Sequence, residues 1–452
     1  VKNNNKIQKI GLTTAIAVVV ANMVGTGVFT SLGFQVIELK DGFTLLLLWG
    51  VGGMLALFGS FSYGELGASL PRNGGEYNFL SKIYHPLIGF QAGWVSIMIG
   101  FAAPIAAAAL ALGDYTIGIF GNADPSPWVE KGIAIMVVLA VSLIHLQNLK
   151  AVSRFQKWFT AFKIVLIVVL IILGFALSDG SEISFAPSKQ SFKDMFTMAF
   201  AGSLVWVMLA YSGWNAAAYI VDDMKNPAKN LPRSLLIGTA VVSVLYILLN
   251  MMFLYVTPIN DLMFQKDVGN VAAKHIFGNS GAAAVSGLIA FALISAISSM
   301  VWAGPRVSAA IGEDMSVFRF LNKRNKNNVP HIGIFFQLLL IIPMILFVPF
   351  SKLIEFTSVL LSIFSLLAVL GVFVLRIRQP KLKRPYKAWG YPITPAIYLI
   401  ITGWMIVYFL KMKPNNLYAI IITLAVGTLF YFLCRIKDKK EKVSKTSIDK
   451  QK

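Results

Sequence analysis

The 452-residue chain has one cysteine, Cys434, which excludes an intrachain disulfide and a cysteine-based metal cluster. Its four histidines, His85, His145, His275 and His331, are scattered without metal-ligand spacing, so no metal and no cofactor is expected. Charge is also scarce: Asp, Glu, Lys and Arg make up 13% of the residues, against about 25% in soluble domains. Acids are the rarer kind, 20 against 40 Lys and Arg. A basic balance suits nucleic acid only when it covers a folded polar face, and here the basic residues fall between apolar runs. No nucleic-acid partner is expected.

What the chain has in excess is apolar side chains, 57% of residues, and they come in runs. A hydrocarbon core needs about 20 apolar residues per helical crossing. Runs of that order lie at 11–32, 43–69, 86–113, 130–149, 156–178, 193–222, 232–257, 281–312, 333–349, 353–376, 391–410 and 416–434, numbered below as spans 1 to 12. The first is too long for a signal-peptide core and lacks a cleavage site, so it reads as span 1. The fold class expected is an all-α integral membrane protein of 12 transmembrane helices, with the lipid bilayer as its solvent.

Twelve crossings place both termini on one side. The opposite side holds, of the 40 basic residues, only Lys40, Lys131, Lys189, Lys193, Lys266, Lys274, Lys352, Lys411 and Lys413. Positive residues favour the cytoplasmic side, so both termini are expected in the cytoplasm and the protein in an inner or plasma membrane. Residues 1–10 form a cytoplasmic arm. Residues 435–452 form a basic tail, read as disordered and attracted to anionic lipid.

Span 1 carries Asn22-Met23-Val24-Gly25-Thr26-Gly27-Val28-Phe29 near its midpoint, and span 6 carries Tyr211-Ser212-Gly213-Trp214-Asn215. Glycines around a small polar residue weaken a helix where lipid offers no replacement hydrogen bonds, and a break is tolerable only if it faces a cavity. Small residues also serve close helix packing, so either motif alone is ambiguous. Paired in spans 1 and 6, they point to a five-plus-five inverted-repeat transporter, 11–178 against 193–376, with 391–434 as two added helices. Such breaks suit an amino acid: freed N–H groups at a half-helix start hold a carboxylate, and freed carbonyls accept from an ammonium.

At these residues the chain resembles the amino acid–polyamine–organocation superfamily, particularly its light-chain-like, L-type amino acid transporters. The resemblance covers nearly the whole chain. It rests on Gly25-Thr26-Gly27-Val28-Phe29, on Gly64-Glu65-Leu66, Leu70-Pro71-Arg72 and Gly74-Gly75-Glu76-Tyr77, and on Tyr211, Gly213, Trp214 and Asn215. Lys225-Asn226-Pro227, Asn230-Leu231-Pro232-Arg233 and the loop from Arg384 to Pro392 extend it. The resemblance implies alternating access, with the substrate held by Val24, Gly25, Thr26 and Gly27 and by Leu209, Tyr211, Ser212, Gly213 and Asn215. Two departures stand out. Leu209 takes the place of a large aromatic gate found in many relatives, so either Trp206, one turn earlier and the gate candidate, closes the site or the substrate differs from the common ones. Asn215 stands where relatives carrying arginine or polyamines tend to have glutamate.

Lys163 and Arg306 are the basic residues inside spans. The resemblance aligns Lys163 with a span 5 lysine common in relatives, where a fixed ammonium can replace a coupling cation and make transport sodium-independent. The bland alternative is snorkelling toward the cytoplasm. Ser295, Ser298 and Ser299 on span 8 can supply oxygens nearby, or can bond their own helix backbone. Arg306 is read as structural, pairing with Glu313, Asp314 or a neighbouring helix. Glu65 and Glu355 are read as interfacial and solvated, and Pro104, Pro305 and Pro343 as kinks.

The expected activity is secondary transport of small or neutral amino acids, by exchange or with protons. A polyamine or cationic amino acid antiporter is the alternative, but it needs acids at mid-span, and spans 1, 3, 6, 8 and 10 have none there. An intramembrane enzyme needs a nucleophile–base or metal constellation at membrane depth, which is missing. No covalent heavy-chain partner is expected, because the loop from Asp114 to Glu130 lacks cysteine.

Overall fold

The structure, a computed structural model, describes residues 9–119, 126–147 and 149–449. Among the described residues all regular structure is helical, apart from one isolated parallel bridge between Ile10 and Met224. Eleven helices among the described residues are long and apolar enough to cross a membrane. Span 9, His331–Phe347, is apolar but has 17 residues. At 1.5 Å per residue that is roughly 26 Å, a little short of a hydrocarbon core of about 30 Å.

Burial orders the spans. In span 3 (Pro86–Gly118) 83% of the apolar window is inside the protein and in span 6 (Met198–Asp223) 78%, whereas span 4 (Pro127–His145) and span 12 have 22%, which makes them the outer helices. Span 3 reaches the centre because the residues from Ala102 to Ala111 are mostly alanine, and small side chains let helix backbones approach closely. A π-helical turn, Ser96–Gly100, precedes that stretch and bends its register.

Several boundaries differ from those expected. Span 5 starts at Leu149 rather than 156, since Lys150, Arg154 and Lys157 are good helix formers that hydropathy alone discounts. Span 8 extends back to Val268, with Gly278 at φ 70° interrupting the helix ahead of the crossing. The tail was expected to be disordered, but the helix of span 12 runs from Asn415 to Asp449, because its Lys, Glu and Ser residues continue an established helix. Residues 1–8 of the arm, 450–452 of the tail and 120–125 of the loop from Asp114 to Glu130 lie outside the described residues.

One end of the bundle gathers the start of span 1 and the ends of spans 2, 6, 8 and 12. Ile10 donates its N–H to Asp223 O at 2.7 Å, Arg72 reaches Asp314 at 2.9 Å and Glu313 at 3.0 Å, and Asp438 accepts from Ser316 N–H at 3.0 Å. Arg306 pairs with a neighbouring helix, one of the partners expected for it, through Asp223 at the end of span 6, while Glu313 and Asp314 are taken by Arg72. Two acids are placed differently from the expectation. Glu65 is 0% exposed rather than solvated; Arg376 holds it at 2.6 and 2.9 Å, Arg384 at 3.3 Å, and the Ala388 N–H at 2.7 Å. Glu355 is buried and paired with Lys413. In each case the partner comes from a segment distant in sequence.

Candidate functional site

Span 1 is two helices, Leu12–Met23 and Gly27–Gln35. Val24 leaves the helical region at φ −76°, ψ 79°, and the Gly25 N–H turns back to Met23 O at 2.8 Å. Span 6 ends its first helix at Tyr211; Ser212 is extended and Gly213 has φ 93°, after which a 3-10 turn runs from Ala216 to Asp223. The two breaks touch. A Cβ on Gly27 would lie 2.5 Å from Ala210 Cα, and one on Gly213 2.5 Å from Asn22 Oδ1, so both positions require glycine. At Gly25 the nearest atom to an added Cβ is 3.9 Å away. That position opens onto space.

The carbonyls released by the breaks are bound by side chains from other spans. The Tyr246 hydroxyl of span 7 lies 2.6 Å from Met23 O and 3.1 Å from Ala210 O, so one donor serves both breaks. The Lys163 ammonium donates to Val24 O and is 3.4 Å from Ala21 O. Lys163 is 1% exposed, so it does not snorkel.

Between the breaks and spans 3, 8, 10 and 11 lies a cavity of about 100 Å³. Its wall includes Gly25, Thr26, Gly27, Leu209, Ser212, Gly213 and Asn215 of the residues singled out from sequence. Val24 and Tyr211 are not on it: Val24 turns its carbonyl to Lys163, and Tyr211 packs behind span 6 with its hydroxyl on Trp49 O at 3.0 Å. Trp206, the gate candidate, is also off the wall, stacked on Phe34 at 4.7 Å.

None of the three span 8 serine hydroxyls meets Lys163. Ser295 and Ser299 donate to Ala292 O at 3.0 Å and Ala296 O at 2.9 Å, within their own helix. Ser298 donates to Gln156 Oε1 at 2.8 Å and lies 2.9 Å from His145 Nε2.

Several wall residues escaped the sequence reading. Pro104, read as a kink, is one. Ser358, Ser362 and Ser365 form a polar stripe on span 10, legible from their helical spacing in an otherwise apolar run. Asn22, Tyr219 and Tyr398 carried no such signal. Among the described residues the wall holds no Asp, Glu, Lys or Arg.

The family model described as "Amino acid permease" matches residues 10–432. The chain belongs to the amino acid permease family. As such it is a multi-pass membrane transporter of amino acids and not an enzyme. It is 30% identical over 401 residues to the serine/threonine exchanger SteT of Bacillus subtilis (strain 168), covering 88% of this chain and 90% of that one. It is 27% identical to the b(0,+)-type amino acid transporter 1 of Homo sapiens, over 96% of this chain and 89% of the other. To the human cystine/glutamate transporter it is 26% identical, over 96% and 86%. In this permease the two breaks, the cavity between them and a buried ammonium behind the first are one arrangement.

Proposed function

We propose that this permease moves small neutral amino acids by alternating access, without sodium, through exchange or coupled uptake of protons. The observation that carries the reading is the cavity at the junction of two broken helices, with no charged side chain on its wall. Helix starts such as that at Gly27 leave their first N–H groups without intrahelical partners, which suits a carboxylate, and the opposing carbonyls suit an ammonium. Gly25, open to the cavity, leaves room for the substrate backbone. The hydroxyls of Thr26, Ser96, Ser212 and the span 10 serines favour a small, uncharged side chain. Similarity to a protein named a serine/threonine exchanger supports the same choice.

Lys163 carries the sodium-independent part of the reading. Its ammonium contacts carbonyls of the first break, so a positive charge is supplied by the protein itself. The cationic or polyamine alternative needs an acid facing the substrate's distal charge, and the wall offers none. The distribution of basic residues supports a cell membrane location with both termini cytoplasmic, and the paired breaks support the five-plus-five repeat. The sequence of the loop from Asp114 to Glu130 offers no cysteine to a covalent partner.

The test is countertransport in proteoliposomes loaded with unlabelled serine, with sodium replaced by a large organic cation. Labelled serine should enter, and alanine and threonine should compete. Strict dependence on sodium, or uptake of putrescine in preference to every neutral amino acid, would overturn the reading.

A further inference from the structure

Behind the cavity wall lies a carboxylate that the spans themselves do not supply. Glu76 opens a short helix, Glu76–Ile83, and enters the protein because Gly74 and Gly75, at φ 107° and 52°, turn the chain inward. The turn is tight: a Cβ on Gly75 would lie 2.4 Å from the Tyr219 ring. Glu76 is 4% exposed. Its Oε1 accepts from the Tyr63 hydroxyl at 2.6 Å and from Asn215 Nδ2 at 2.7 Å, and the Tyr219 hydroxyl faces the same carboxyl group.

The consequence falls on Asn215, which is on the cavity wall. An amide nitrogen has two hydrogens. One goes to Glu76 and the other to the Tyr219 hydroxyl at 3.1 Å. The nitrogen is therefore saturated by protein acceptors, and no donor among the described residues meets Oδ1. Rotating the amide by half a turn would set the acceptor Oδ1 against Glu76 Oε1, itself an acceptor from Tyr63, so Glu76 enforces one orientation.

We propose that Glu76 is a positioning residue that fixes the Asn215 carboxamide with its oxygen toward the cavity, so that the site selects amino acids whose side chain donates a hydrogen bond. Serine and threonine hydroxyls have such a donor. An ether oxygen of similar size only accepts. This inference rests on the neutral amino acid reading, and it adds a residue outside the wall that determines the polarity of the side-chain subsite.

The experiment measures binding to the purified full-length protein, by competition of labelled alanine with serine and with O-methylserine, and takes the ratio of their affinities. In the native protein serine should be preferred by about fivefold or more, the scale of one net hydrogen bond. Glu76→Gln offers an amide that can donate to Asn215 Oδ1, freeing the Asn215 amide to turn, and should bring the ratio to within about twofold. Asn215→Leu should collapse the ratio by itself, and if Glu76→Gln does not fold, Glu76→Asp, whose shorter side chain withdraws the acceptor from Asn215 Nδ2, should lower the ratio in the same direction. In the double variant Glu76→Gln should then produce no further change. An unmoved ratio in either single variant, or additive losses in the pair, would overturn the role of Glu76. Absence of any neutral amino acid binding by the native protein would instead overturn the substrate reading itself.

Discussion

The ammonium of Lys163 in span 5 donates to the carbonyl of Val24, the residue at which span 1 stops being a helix. A charge that is costly at membrane depth is thereby tied to an acceptor that the broken helix leaves over. The contact ties span 5 to the break beside the cavity without putting Lys163 on the cavity wall.

Removing that contact should impair the transport cycle more than binding. Lys163→Ala is expected to bind alanine within about threefold of the native affinity, since the wall is unchanged, but to lose at least about tenfold in exchange rate. Proteoliposome exchange compared with equilibrium binding checks this. Native turnover in Lys163→Ala would return the lysine to a packing role.

The two glycines of the first break should respond differently. Gly25→Leu places its side chain in open space at the cavity, so it should reach the membrane in native yield and fail to bind substrate. Gly27→Leu collides with the Ala210 backbone, so it should lower yield and thermal stability as well. Size-exclusion profiles and thermal unfolding of the detergent-solubilised variants separate the outcomes.

Tyr246→Phe keeps the ring but removes the hydroxyl shared by Met23 O and Ala210 O. Met23 O keeps the Gly25 N–H, but Ala210 O loses the hydroxyl, at a cost of about 1–3 kcal/mol, which should appear as a lower unfolding temperature relieved in part by saturating amino acid. If unfolding is unchanged with and without ligand, the bridge contributes nothing to the site.

Selectivity follows from the uncharged wall. Arginine and putrescine should compete at least about tenfold more weakly than the best neutral amino acid, a difference of about 1.4 kcal/mol. A panel competition assay against labelled serine reads this directly.

Arg376→Met should destabilise the protein away from the cavity. It leaves Glu65 buried with Arg384 and the Ala388 N–H and takes away its two shortest side-chain bonds. The expected cost is about 3 kcal/mol. Glu65→Gln combined with Arg376→Met should recover part of it in thermal unfolding, and no recovery would mean that the pairing is not the source of the loss.

The crossing helices, their approximate limits and the two breaks were determined by the sequence alone, because hydropathy over about 20 residues and glycines in mid-span act locally on the chain. The wall glycines were legible for the same reason, and Asn215 through the family resemblance. Tertiary structure decided what lies behind them. Val24 and Lys163 are 139 residues apart, as are Glu76 and Asn215, and Glu65 meets Arg376 311 residues away. No local pattern distinguishes Glu65, read as solvated, or Glu76 in its loop from an acid in water; only the folded chain brings donors to them. Trp206 shows the same limit from the other side, since one helical turn separates it from Leu209, yet it turns to Phe34 while Leu209 faces the cavity. The direction of a side chain in a crowded bundle is set by the neighbours that leave it room, and those neighbours are assembled only by folding.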